Sequence, residues 1–332
     1  MFSKIFKFPV IILFLTGIAF FLILGCTSDE SYDNSNFVSE VNTALPDTVN
    51  STTIPFVVVG NNGAIFTSSD GITWDNRSIS GLTNSYEGVT YGNGLFMAVS
   101  STNYIYKSTD AITWTKTGVD VSGNPGLEDI IFENSVFVAV GSQGTVLRST
   151  NGTNWVDIDI TGEENGLVGI TYGSGLFLTA SNRKTHYSTD GLIWFSADRA
   201  GDKYDIINAN GYFYIAEGSD IAKSANGSSC SNHSMTGVSG SFQSLVYAKE
   251  LFIGVGSDSI WYTSDITSSW TKITDPLDSS YYYGITYRNN LFVTVGSTGS
   301  LSQYGAILTS SDGINWTHRA TLTSTSRINA VY

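Results

Sequence analysis

The chain has 332 residues, with 34 glycines, 18 tyrosines, 18 phenylalanines and seven tryptophans, but only two cysteines and five prolines. Aromatic residues make up 13% and charged residues only 14%, which excludes disorder, and two cysteines cannot staple a chain this long. Sixteen basic against 29 acidic residues leave a net charge of −13, which argues against nucleic acid as a partner, since phosphates require a basic face.

The first element is a targeting segment. Lys4 and Lys7 precede an apolar stretch over residues 8–24, broken only by Pro9, Thr16 and Gly17, which ends in Ile23-Leu24-Gly25-Cys26. A basic start, an apolar middle and a small residue before a cysteine resemble the signal of bacterial lipoproteins. Leu24 departs from the small residue usual at its position. The resemblance implies removal of residues 1–25, acylation of Cys26 and anchoring in a membrane through its acyl chains, which together hold firmly where one alone would not. Thr27 follows the cysteine in place of an aspartate, which tilts the expected address in the cell envelope toward the outer membrane. The competing reading is an uncleaved membrane helix, at the short limit for spanning. Residues 26–53 are expected to form an acidic tether, with Asp29, Glu30, Asp33, Glu40 and Asp47 and no lysine or arginine. As a flexible coil it would reach about 30 Å.

From residue 54 one pattern recurs. Ser68-Ser69-Asp70-Gly71-Ile72-Thr73-Trp74 returns as Ser108-Thr109-Asp110-Ala111-Ile112-Thr113-Trp114. Five more copies run from Asn151 to Trp155, Asp190 to Trp194, Asn226 to Cys230, Asp265 to Trp270 and Asp312 to Trp316. The closing tryptophan or cysteine follows its predecessor by 40, 41, 39, 36, 40 and 46 residues. Each copy is preceded by two apolar runs around a Gly/Asn turn, as in residues 88–99, 169–177 and 284–296, which is a hairpin signal. One unit therefore reads as four strands, A to D, and four strands every ~40 residues make a propeller blade.

The repeat resembles the Asp-box propellers of bacterial neuraminidases and photosystem II assembly factors, over residues 54–332. The family pattern Ser-x-Asp-x-Gly-x-Thr-Trp is shortened here by one residue between Asp and Gly. An Asx-type turn explains the box: the carboxylate accepts backbone N–H groups, glycine takes a positive φ, and the tryptophan packs between sheets. Asp70, Trp74, Asp110, Trp114, Asn151, Trp155, Asp190, Trp194, Asp265, Trp270, Asp312 and Trp316 are accordingly read as scaffold residues.

The chain starts on a strand B, at Pro55-Phe56-Val57-Val58-Val59-Gly60, and ends on a strand A, at Arg327-Ile328-Asn329-Ala330-Val331-Tyr332. The two fragments complete one blade, so seven boxes predict an all-β, seven-bladed propeller closed by its C-terminal strand. Boxes and A–B turns fall on one face. The B–C and D–A loops fall on the other, with Glu87, Glu128, Asp129, Arg183, Lys184, Tyr204, Asp205, Tyr281, Tyr282 and Arg327 as the candidate binding face. Gln143, Glu163, Glu164, Asp202 and Lys203 lie on the same side.

Resemblance to neuraminidases implies an arginine triad, a Tyr/Glu pair and an acid/base aspartate. Only Arg183 and Arg327 of the seven arginines reach the loop face, and the Phe-Arg-Ile-Pro segment of that family is absent. The three histidines show no metal-ligand spacing, and no nucleophile elbow or phosphate loop is present. No cofactor or metal is expected. Three readings stand: a non-catalytic binding or scaffold module for a protein or glycan, a glycoside hydrolase or lyase, and a purely structural surface protein. A monomer is expected.

Overall fold

The computed structural model describes residues 54–117, 125–257, 259–274, 276–277, 280–299, 303–325 and 327–332. The expected signal peptide, Cys26 and the expected tether lie outside the described residues. Among those described, strands dominate because β-branched and aromatic residues come in short runs between glycine- and asparagine-rich turns. They form seven antiparallel sheets of four strands each. The fold is a seven-bladed β-propeller, as the repeat predicts.

Strand A of each blade lies innermost: Tyr86–Gly92, Leu127–Glu133, Ile170–Gly173, Lys203–Ala209, Phe242–Ala248, Tyr281–Arg288 and Ile328–Val331. Each packs on the next around the ring. Strand B carries the core. Phe56–Gly60 and Val136–Gly141 are buried at every position, because the neighbouring blades cover both faces of the sheet. Strand D is the wet edge, and Asp75–Asn76 is exposed throughout.

Closure occurs in the first blade. Ile328–Val331 pairs antiparallel with Phe56–Gly60, Val58 opposite Val331 and Val59 opposite Ala330. Val57 N donates to Tyr332 O at 3.1 Å, and Tyr332 N donates back to Val57 O at 2.9 Å.

The box turns repeat one hydrogen-bond set. Asp70 Oδ1 accepts from Ile72 N at 2.7 Å and Thr73 N at 2.9 Å, while Ser68 Oγ accepts from Gly71 N at 2.8 Å. Asp110, Asn151, Asp190, Asn226 and Asp312 hold the same two N–H groups. Those bonds keep the carboxyls of Asp70, Asp110, Asp190 and Asp312 below the ordinary range, Asp110 at about 2. Gly71 has φ 73°, and a Cβ there would collide with Leu291 of the preceding blade. Trp74, Trp114, Trp194 and Trp316 donate Nε1–H to the carbonyl three residues back, at 3.1–3.3 Å. Trp155 and Trp270 have no such partner among the described residues. The sixth turn, with its extra residue, departs: Asp265 Oδ1 accepts only from Thr267 N, at 2.9 Å.

Candidate functional site at the mouth of the central channel

A register shift recurs near the start of strand A. It falls between Tyr86 and Gly88, Leu127 and Asp129, Lys203 and Asp205, Phe242 and Ser244, and Tyr282 and Gly284, and opposite Asn329 in the closing strand. A bulge re-aims the extra side chain out of the sheet. The bulged residues are Glu87, Glu128, Tyr204, Gln243, Tyr283 and Asn329. With Val168, at the equivalent place in the fourth blade, they all line one cavity of about 270 Å³ at the channel mouth.

The residue after each bulge packs against the neighbouring strand A, so it is small in most blades. A Cβ at Gly88 would stand 2.9 Å from Asp129 Cα, and one at Gly284 would stand 2.9 Å from Asn329 O. Asp129 and Asp205 occupy this position in the third and fifth blades, and both reach across. Asp129 Oδ2 accepts from Ile170 N at 2.9 Å, while Oδ1 takes its neighbour Ile130 N at 2.7 Å. Asp205 makes the same pair with Leu245 N and Ile206 N, both at 2.7 Å. These two carboxylates staple successive blades. Burial pushes Asp129 up to about 6, against the two N–H bonds, and raises Asp205 in the same way.

Glu87 and Glu128 also line the cavity, and neither accepts a backbone N–H among the described residues. Asn329 Nδ2 donates to Glu87 Oε2 at 2.9 Å and to Tyr86 O at 2.7 Å. Glu128 is exposed and has no hydrogen bond or ion pair among the described residues. Desolvation by the channel wall raises both carboxyls, and Arg327 opposes it. Arg327 lies over the Tyr283 ring, its Cζ 3.8 Å from the centroid, and Tyr281 stacks on Tyr283 at 6.4 Å and 18°. The guanidinium is 4.0 Å from Glu87 and makes no hydrogen bond to the described residues.

The remaining face residues divide. Tyr282, expected on the binding face, is fully buried in the core between Ile260 and Phe292 and presents nothing to a ligand. Strand A already begins at Tyr281. Arg183 and Lys184 line a hollow of about 140 Å³ with Glu164 and Asn165, sharing no residue with the central cavity. Lys203 is buried, donating to Arg199 O at 2.7 Å and Gly201 O at 2.9 Å. Tyr283, Gln243 and Asn329 were not singled out by the sequence. Aligning the seven A strands would have found them, one residue before the small or aspartate position.

Glu163 is also buried. It accepts from Asn165 N at 2.8 Å, Asn165 Nδ2 at 2.7 Å, Ser181 Oγ at 2.9 Å and His186 Nε2 at 3.1 Å. His186 Nδ1 in turn bonds Ser196 Oγ at 2.8 Å. The order Ser–His–Glu has the look of a nucleophile relay. Yet His186 is wholly buried and its ring cannot meet a leaving group, so the network serves the fold. Among the described residues no group of three or more His, Cys, Asp or Glu side chains is placed to hold a metal ion.

No protein-family model and no curated protein matches the chain. Solved structures do. YCF48 bound to D1 peptide superimposes with a TM-score of 0.58 at 16% identity, over 78% of this chain and 86% of that one. YCF48 from Cyanidioschyzon merolae gives 0.57 at 14%, over 77% and 88%. Virginiamycin B lyase from Staphylococcus aureus gives 0.62 at 12%, over 74% and 92%. At these identities the likeness is one of fold: this chain shares the β-propeller architecture with a peptide-bound protein and with a lyase.

Proposed function

We propose that the chain is a non-catalytic binding module, held at the bacterial cell envelope through acylated Cys26, that recognises a protein partner with its channel-mouth face. One observation carries this reading. The box face repeats nearly the same turn around the ring, whereas six bulges and Val168 bring side chains of five different kinds into one cavity. A scaffold alone needs no such variation. The carboxylates there do not form an acid–base pair, since Asp129 and Asp205 are engaged by backbone N–H groups and Glu87 by Asn329. The exposed Tyr281 adds amphipathic contact area at low entropic cost. A YCF48 propeller bound to a peptide supports a protein partner over a glycan.

The test is capture of envelope proteins on the immobilised full chain and on a variant carrying Tyr281→Ala, Tyr283→Ala and Glu128→Ala. Loss of specific partners from a variant that melts like the parent is expected. Retention of every partner would move the site elsewhere. Turnover of glycosides at enzyme-like rates would replace the binding reading with the hydrolase or lyase one.

A further inference from the structure

Building on that reading, we propose that the central cavity is the pocket for a single basic side chain of the partner protein, its guanidinium or ammonium seated between Glu87 and Glu128. Four carboxylates and one cation, Arg327, stand among the lining residues described. Focused in a narrow mouth, that imbalance attracts positive charge. Two of the four are spent on backbone groups, so the attraction is directed by Glu87 and Glu128.

A second observation points the same way without relying on charge. Asn329 lines the cavity and is only 6% exposed, yet its Oδ1 has no partner among the described residues. Its Nδ2 is occupied by Tyr86 O and Glu87. A buried acceptor left open is costly, and a hydrogen-bond donor from a ligand would satisfy it once the side chain yields to admit it. Guanidinium and ammonium are donor-only groups.

The rings complete the argument. Tyr283 already carries the Arg327 guanidinium over its face, and Tyr204 stands in the same wall. Tyrosine faces attract cations. At about 270 Å³ the cavity is smaller than the ~300–1,000 Å³ of sites that enclose a whole small ligand. It suits one head group projecting from a larger partner. Arg327 then acts as a resident competitor: a like charge on the same ring and beside the same glutamate.

The experiment is a methyl NMR titration of the full chain in neutral detergent, following Val89 and Ile285, which line the cavity. The probes are three capped tripeptides, Gly-Arg-Gly, Gly-Gln-Gly and Gly-Glu-Gly, with a neutral oligosaccharide as a fourth. The arginine peptide should shift these methyls at concentrations where the others do not. Its affinity should rise with pH as Glu87 and Glu128 ionise. Glu128→Gln should weaken it about two- to fivefold, in the range of an exposed charge pair. Arg327→Gln should tighten it by a similar factor.

Glu87→Gln is a second arm, and if loss of the Asn329 contact unfolds it, Glu128→Gln decides alone. Equal response to all three peptides, preference for the glutamate peptide or the oligosaccharide, or no response at all would overturn the proposal. If envelope partners are still captured through the Tyr281–Tyr283 rim in that case, the pocket inference fails while the binding module stands. If none is captured, both fail.

Discussion

Buried Glu163 and His186 make one junction of the ring sensitive to acid. For Glu163 burial raises the carboxyl, but the bonds from Asn165, Ser181 and His186 outweigh it and leave it at about 2. Burial lowers His186, with Glu163 opposing. A depressed carboxyl contributes stability above its unfolded value of 4.5, lost as pH falls toward 2. A histidine lowered by folding is disfavoured in its charged form, so stability declines once pH drops below the unfolded value of 6.5. Melting temperature should therefore fall in two stages, below pH 6.5 and again below pH 4.5. His186→Gln should cost about 1–3 kcal/mol at pH 7, through the buried bonds it disturbs, and should flatten the upper stage. An unchanged upper stage in that variant would assign it to another group. The second residue of interest is Cys230. In four blades a strand-B phenylalanine stands 6.3–6.4 Å from the box tryptophan, as Phe56 does from Trp74. In the fifth blade the tryptophan position carries Cys230, half-buried among Leu176 and Tyr187. Cys230→Trp should raise stability by up to about 2 kcal/mol. A lower melting temperature would show that Tyr187 already fills the place.

At the scale of elements, the C-terminal strand matters most. Deleting residues 327–332 removes the ladder with Phe56–Gly60, the buried Ile328, and the Asn329 bonds to Tyr86 and Glu87. It also opens sheet edges. That truncation should abolish a cooperative melt, whereas deleting residues 27–53 should leave it nearly unchanged by circular dichroism. Equal melting temperatures would contradict closure by this strand. The same scale marks what the sequence could tell. Blades, box turns and closure were legible because each repeats or completes a local pattern. The bulges were not. Among three consecutive tyrosines no apolar–polar contrast says that Tyr282 turns inward, although Tyr86, Leu127 and Phe242 hold the same place in other blades. Asp129 and Asp205 read as ligand groups because their real partners, Ile170 N and Leu245 N, belong to the next blade, about 40 residues away in a repeat of this kind. Glu163 and His186 meet for the same reason, across a loop and a strand.

For the molecule as a whole, the proposed lipid anchor is most open to direct trial. Full-length chain should partition with membranes and into the detergent phase, and Cys26→Ala should shift it to the aqueous phase. Complete retention of that variant would point to the uncleaved membrane helix instead. Net charge of −13 should also make capture of basic partners weaken with salt. Closure has a further meaning, one of timing. Val58 waits for Val331 across almost the entire chain. Contacts so distant in sequence form slowly, since a long loop must close before they contribute. During synthesis the first blade stays three-stranded until residues 328–331 emerge, and the cavity lacks Arg327 and Asn329 until then. The proposed recognition face therefore becomes complete only once this strand docks, and a chain that stalls short of it carries no finished pocket.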